Sequence, residues 1–243
     1  MKTVLKFYGW DAVNPSRERA RRFEQLLTVL DNAGLAPDIF RFGDGPEADP
    51  CAREAFLVRL AEGRRSDLPT LGRQANPAYD VGLGITGMSE QVTRLVFADV
   101  TAGRRPELFT LGSALAGVLH PAFGGLGYGA EPAPLDRMLA MTGSELRRHG
   151  LDGLAVRSWF GPDLMAVLDP GPLEAEGAVL TPTAWGGLEA DLVPEPWQAA
   201  PGVLADAKTR LDGALRAQGL LGEYSHPLLK KAAPGWDRVT SRL

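Results

Sequence analysis

Glycine and proline interrupt this sequence about once every five residues, with 29 and 19 of them in 243, and that density sets the scale of everything it can build. Short elements and frequent loops are expected, because each interior proline or glycine costs helical stability. The apolar fraction of 44% and charged fraction of 23% are those of an ordinary globular protein, and the length is ample for a core.

Within those limits the order of elements is legible. Val4–Tyr8 reads as a strand, and Asn14 before Pro15 as an N-cap with proline at the first helical position. Ala20, Phe23, Leu27 and Leu30 recur at spacings of three and four, which makes one apolar helical stripe. Arg17, Arg21 and Arg22 fall off that stripe, and Gly34 stands where a left-handed cap would end the helix. A strand at 38–42, a polar loop at 44–50 and a helix at 52–61 follow. Next come a hairpin of Tyr79–Ile85 with Val92–Val100, and a small-residue helix at Phe109–Leu119.

After "GGLGYG" the order starts again. A strand and a helix near 135–148 precede the strand Leu154–Phe160, a short helix at Asp163–Leu168, strands at 177–181 and 188–193, and a helix at Val203–Gln218. The predicted class is α+β, as two related lobes of pattern β-α-β-α-β-β-α, each a small mixed or antiparallel sheet packed with helices. The lobes are 1–123 and 124–222, with a tail at 223–243 pinned by Leu228, Leu229, Trp236 and Val239. They are compatible with one compact domain as well as with two.

Few residues point to chemistry. The net charge of −4 argues against a nucleic-acid coat or an anionic membrane as partner. One cysteine, Cys51, leaves no intrachain disulfide and no cysteine-built zinc site. With neither a signal-peptide pattern nor a span-length apolar run, a cytoplasmic location is expected. The three histidines, His120, His149 and His226, share no metal-ligand spacing. Gly124, Gly125, Gly127 and Gly129 follow GGxGxG rather than GxGxxG, and no helix opens directly behind them, so tight strand packing explains them as well as a phosphate does. Glu189 and Asp191 alternate on a strand and share a face. Such a pair suits a metal or a glycosidase-like site, and more commonly it is the solvated side of a sheet. No catalytic, cofactor-binding or metal-binding residue is predicted.

What is left is surface. Asp44, Glu47 and Asp49 form an acidic loop, and Glu195 lies with Trp197 in "VPEPW". Trp10, Trp185 and Trp197 sit in turns, where a rigid aromatic either anchors an interface or caps the edge of a core.

The junction Tyr8, Gly9, Trp10, Ser16, Ala20, Arg21, Leu26 and Leu27 resembles the start of the bacterial immunity proteins known as immunity protein 52. "LAEGRRSDLPTLGR" is similar to that family's helix end, basic pair, aspartate and Leu-Gly entry into a strand. "LTPTAWGGLEADLVPEPW" resembles its Gly-rich C-terminal hairpin. The resemblance spans most of Met1–Gly222. It implies a polymorphic-toxin immunity protein that occludes a cognate toxin, one with a restriction-endonuclease-like nuclease domain. Trp10, Asp44, Glu47, Asp49, Trp185, Glu189, Asp191, Glu195 and Trp197 are then the candidate partner-binding residues. The expected partner is that toxin, bound by a monomer or homodimer, with no cofactor, direct nucleic acid or membrane. Two other readings stand beside it. One is a small-molecule enzyme using the Gly124–Gly129 loop or the Glu189/Asp191 carboxylates; the other is an accessory protein of a secretion or phage-like particle.

Overall fold

A computed structural model gives the fold and describes residues 2–9, 16–42, 49–62, 69–86, 90–97, 106–129, 142–224 and 230–241. The class is α+β. Ten strands form one antiparallel sheet: β1 (Lys2–Gly9), β2 (Ile39–Phe42), β3 (Asp49–Pro50), β4 (Pro69–Arg73), β5 (Tyr79–Thr86), β6 (Glu90–Phe97), β7 (Phe123–Gly129), β8 (Arg157–Phe160), β9 (Val179–Pro182) and β10 (Leu188–Asp191). The strand order is β3-β2-β4-β5-β6-β1-β7-β8-β10-β9.

The sheet runs unbroken across the position where the two lobes meet in sequence. The first strand of each half lies at that seam, β1 pairing with β7 from Lys2↔Gly129 to Tyr8↔Phe123. Each half then extends outward, through β6 and β5 on one side and β8 and β10 on the other. The hairpin of β5 and β6 forms as the alternation predicts. Alternation does not reveal β4, because its Pro69 and Gly72 look like turn residues. Its Leu71 nevertheless lies fully buried between β2 and β5.

Eight helices are described: α1 (Ser16–Asn32), α2 (Arg53–Glu62), α3 (Pro106–Leu119), α4 (Gly143–His149), α5 (Pro162–Met165), α6 (Gly171–Ala175), α7 (Pro201–Ala217) and α8 (Asp237–Thr240). The stripe on α1 is buried as its spacing requires, with Phe23, Leu27 and Leu30 in the core beside Leu26. Phe23 meets Phe56 of α2, which in turn packs on Phe40 and Phe42 of β2. Gly34, at φ +70°, closes α1 by a Schellman pattern, with Leu35 N–H bonded to Leu30 C=O and Gly34 N–H to Asp31 C=O. The Asn14-Pro15 cap lies outside the described residues. The tail closes back on the body: Trp236 and Val239 are buried, and Trp236 Nε1 donates to Arg147 C=O at 3.0 Å. Leu228 and Leu229 lie outside the described residues.

At the centre of the sheet β1, β7 and β8 are buried on both faces. Phe7, Gly124 and Trp159 stand in one cross-strand row. Because Gly124 has no side chain, the Phe7 and Trp159 rings meet across it, 5.3 Å between centroids. A Cβ there would lie 2.6 Å from the Phe7 ring. Helix α3 lands on the same place, since a Cβ at Gly112 would lie 2.6 Å from Trp159. Trp159, fully buried, therefore takes the room left by Gly112, and Phe7 beside it takes the room left by Gly124. The glycine cluster is thus the interior of a paired strand and not a loop.

Candidate functional site

The next row of the sheet carries Leu5, Leu126, Arg157 and Asp191, and Glu189 lies beside Trp159. Alternation puts Arg157, Trp159, Glu189 and Asp191 on one face, and α3 covers that face. Arg157 holds Asp191 by two bonds, Nε to Oδ1 and Nη2 to Oδ2, each 2.6 Å. Its Nη1 pairs with Glu189 Oε1 at 2.9 Å and donates to Ser113 Oγ at 3.1 Å. Trp159 Nε1 donates to Glu189 Oε2 at 2.9 Å, and Ser113 Oγ donates to the same oxygen. The guanidinium also lies 5.1 Å from the Phe109 ring.

This arrangement corrects the expectation that Glu189 and Asp191 mark a solvated face. Their side chains are 14% and 11% exposed, and their oxygens are engaged inside the protein. Two carboxylates share one guanidinium in a water-poor site, so one negative charge is left over. Burial accordingly pushes the Asp191 carboxyl above its usual range, although Arg157 opposes the shift. The three groups tie β8 and β10 to α3; His120 and His149 take no part. Sequence reading missed Arg157 and Ser113. The available signal was a lone cation inside the apolar strand "LAVRSWF", which needs a buried partner.

The other candidates divide between surface and undescribed chain. Trp185, in the turn between β9 and β10, is half-buried and stacks on His120, 5.6 Å between centroids and 11° from parallel. Trp197 is half-buried edge-on against Phe109 at 5.2 Å. Both thus pack on the margin of the core. His120 and Glu195 are the two non-glycine residues with positive φ among those described, at 43° and 46°, and both are exposed. Trp10, Asp44 and Glu47 lie outside the described residues. Asp49 is placed only through its strand pairing with Phe42.

A trough runs between α1 and α3. One end, about 480 Å³, is lined by Arg21, Arg22, Gln25, Gly117, Val118 and His120. The other, about 490 Å³, is lined by Asn32, Ala33, Glu107, Thr110, Leu111 and Ala114. Val29 belongs to both. Among the described residues no group of three His, Cys, Asp or Glu side chains is arranged to hold a metal ion. No helix there is long and apolar enough to cross a membrane.

With this geometry in place, one solved structure is informative. The chain is similar to the Pseudomonas aeruginosa T6SS protein PA0821, with a TM-score of 0.57 over 98% of this chain and 81% of that one. The two share a fold. At 14% identity the likeness extends to architecture and no further. No protein-family model and no curated protein matches the chain, so the link to immunity protein 52 stays a resemblance.

Proposed function

We propose that this chain is an immunity-type protein of a secretion-linked toxin system, neutralising a cognate toxin by binding it and transforming no substrate. The observation that carries the reading is the fold shared with a T6SS protein over 98% of this chain. The sequence resemblance to immunity protein 52 supports the same class and supplies the finer expectation of a nuclease toxin. Occlusion of such a toxin requires a buried interface of roughly 1,600 Å². The Trp185–His120 stack beyond the C-terminal end of α3, and half-buried Trp197 with exposed Glu195 towards its N-terminal end, offer rigid aromatic area and a carboxylate at the surface. A carboxylate there would speed association with a basic nuclease cleft.

The test is affinity capture from the native bacterium, with the retained partner identified by mass. Co-expression of that partner with the chain in a sensitive host follows. Rescue of growth in proportion to the amount of chain supports the reading; a captured toxin that still kills the host refutes it. A second reading, an accessory protein of the secretion particle, is compatible with the neighbour's description, which names only a T6SS protein. That reading predicts stable self-assembly in size-exclusion chromatography and no protection of the host.

A further inference from the structure

We propose that the segment Lys230–Ser241 is a built-in ligand, and that the seat it fills at the C-terminal ends of α4 and α7 is a peptide-docking site that takes the same segment from a second copy of this chain. The proposal does not draw on the immunity reading.

The seat is assembled without the segment. The chain leaving α4 is joined to the chain leaving α7 by Leu151 N–H to Leu220 C=O at 3.1 Å and Gly222 N–H to Leu151 C=O at 2.9 Å. The ten-stranded sheet takes no strand from the segment. A helix end leaves carbonyls without intrahelical partners, and here the segment supplies the donors. Ala233 N–H bonds to His149 C=O at 2.8 Å, and Gly235 N–H to Gly219 C=O at 2.9 Å. The Trp236 indole donates to Arg147 C=O at 3.0 Å, and Arg238 Nη2 to Gln218 C=O at 2.7 Å. One short segment thus caps both helices.

Shape and charge make the seat selective. Gly150 and Gly219, at φ +95° and +73°, keep the approach open. A Cβ at Gly150 would lie 3.0 Å from Ala233 Cβ, and one at Gly219 would lie 2.9 Å from the Gly235 nitrogen. Ala233, Trp236 and Val239 are the buried anchors. Lys230 pairs with Glu145 and Lys231 with Glu223, so cations of the segment meet carboxylates of the body. The negative ends of the helix dipoles favour the same sign. Three cations and one carboxylate lie between Lys230 and Ser241, on a chain whose net charge is −4. The matching occupant is a basic segment bearing a tryptophan, and every copy of the chain carries one. Exchange of an identical element between copies reproduces the contacts already made in the single chain, so it needs only that the segment open first.

The probe is a fluorescein-labelled peptide of the sequence Lys230–Ser241, followed by anisotropy against the full chain. Wild type holds its own segment at an effective concentration on the order of millimolar, so the full-length Trp236→Ala variant should bind the peptide at least about tenfold more tightly than wild type does. The same peptide carrying Trp236→Ala should not bind the variant. Lys230→Glu with Lys231→Glu in the peptide should weaken binding, and less so at high salt. Trp236→Phe, which keeps an aromatic ring and loses the indole donor, is the second variant if circular dichroism shows the first unfolded. In sedimentation, wild type at that millimolar concentration should form dimers, and excess peptide should disperse them. Equal binding of the peptide to variant and wild type, none to either, or binding that survives loss of the peptide's tryptophan overturns the seat. A wild-type chain that stays monomeric when concentrated overturns the exchange.

Discussion

Arg157 grips Asp191 with two parallel bonds of 2.6 Å while its remaining nitrogen pairs with Glu189 at 2.9 Å. The cluster is nearly closed to water, so deleting its one cation strands two carboxylates. Arg157→Met should cost about 3–5 kcal/mol, the usual penalty for breaking a buried pair from one side. Adding Asp191→Leu should return part of the loss, since a matched apolar pair leaves less charge unpaired. Urea midpoints of the single and double variants check this.

The same cluster makes stability depend on pH in a definite sense. Burial holds the Asp191 carboxyl above its ordinary range, so the folded chain binds that proton more tightly than the unfolded chain. Its contribution to stability is full below the unfolded value and is lost as pH rises through the folded one. Asp191→Asn removes the effect. The gap between wild type and Asp191→Asn should therefore change across the mildly acidic range, and a gap independent of pH would show that this carboxyl does not titrate as argued.

Glycines in this chain should divide by what lies opposite them. Gly112→Ala and Gly124→Ala each push a methyl against a buried ring and should destabilise by about 1–3 kcal/mol. Gly213→Ala, within α7 and facing open space, should stabilise by roughly 0.5–1 kcal/mol. Thermal melts of the three variants test the contrast.

The C-terminal segment is anchored by the buried side chains of Trp236 and Val239 and by Arg238, which donates to Gln218 C=O. Trp236 is 2% exposed and bonded to Arg147 C=O, so Trp236→Ala should cost about 3–5 kcal/mol by opening a large cavity. Limited proteolysis should then cut the tail before the sheet.

On the proposed immunity reading, Trp185→Ala should weaken binding of the toxin partner by about 2 kcal/mol or more, as truncation of an interface anchor does. Glu195→Lys should slow association at low salt and leave it nearly unchanged at high salt. Stopped-flow association with the captured toxin measures both.

Much of the fold could be read because it is local. The α1 stripe, the Gly34 cap and the β5–β6 hairpin each depend on residues close in sequence, and all three form. Other features resisted reading because local cues conflict with distant ones. β4 carries Pro69 and Gly72, and only its pairing with β2 and β5 makes it a strand. The candidate carboxylates show the same limit. That Glu189 and Asp191 share a face follows from strand periodicity, whereas the identity of what covers that face does not.

The sequence by itself determined the class of structure, the positions of most elements and the poverty of catalytic motifs, because spacing, caps and breakers act within a turn or a strand. Tertiary structure decided that both halves join one sheet at β1 and β7, that Gly112 makes room for Trp159 and Gly124 for Phe7, and that Arg157 is shared between two carboxylates beneath α3. Those relations link residues from 30 to more than 100 positions apart in sequence, where only the packing of the whole chain brings side chains within reach.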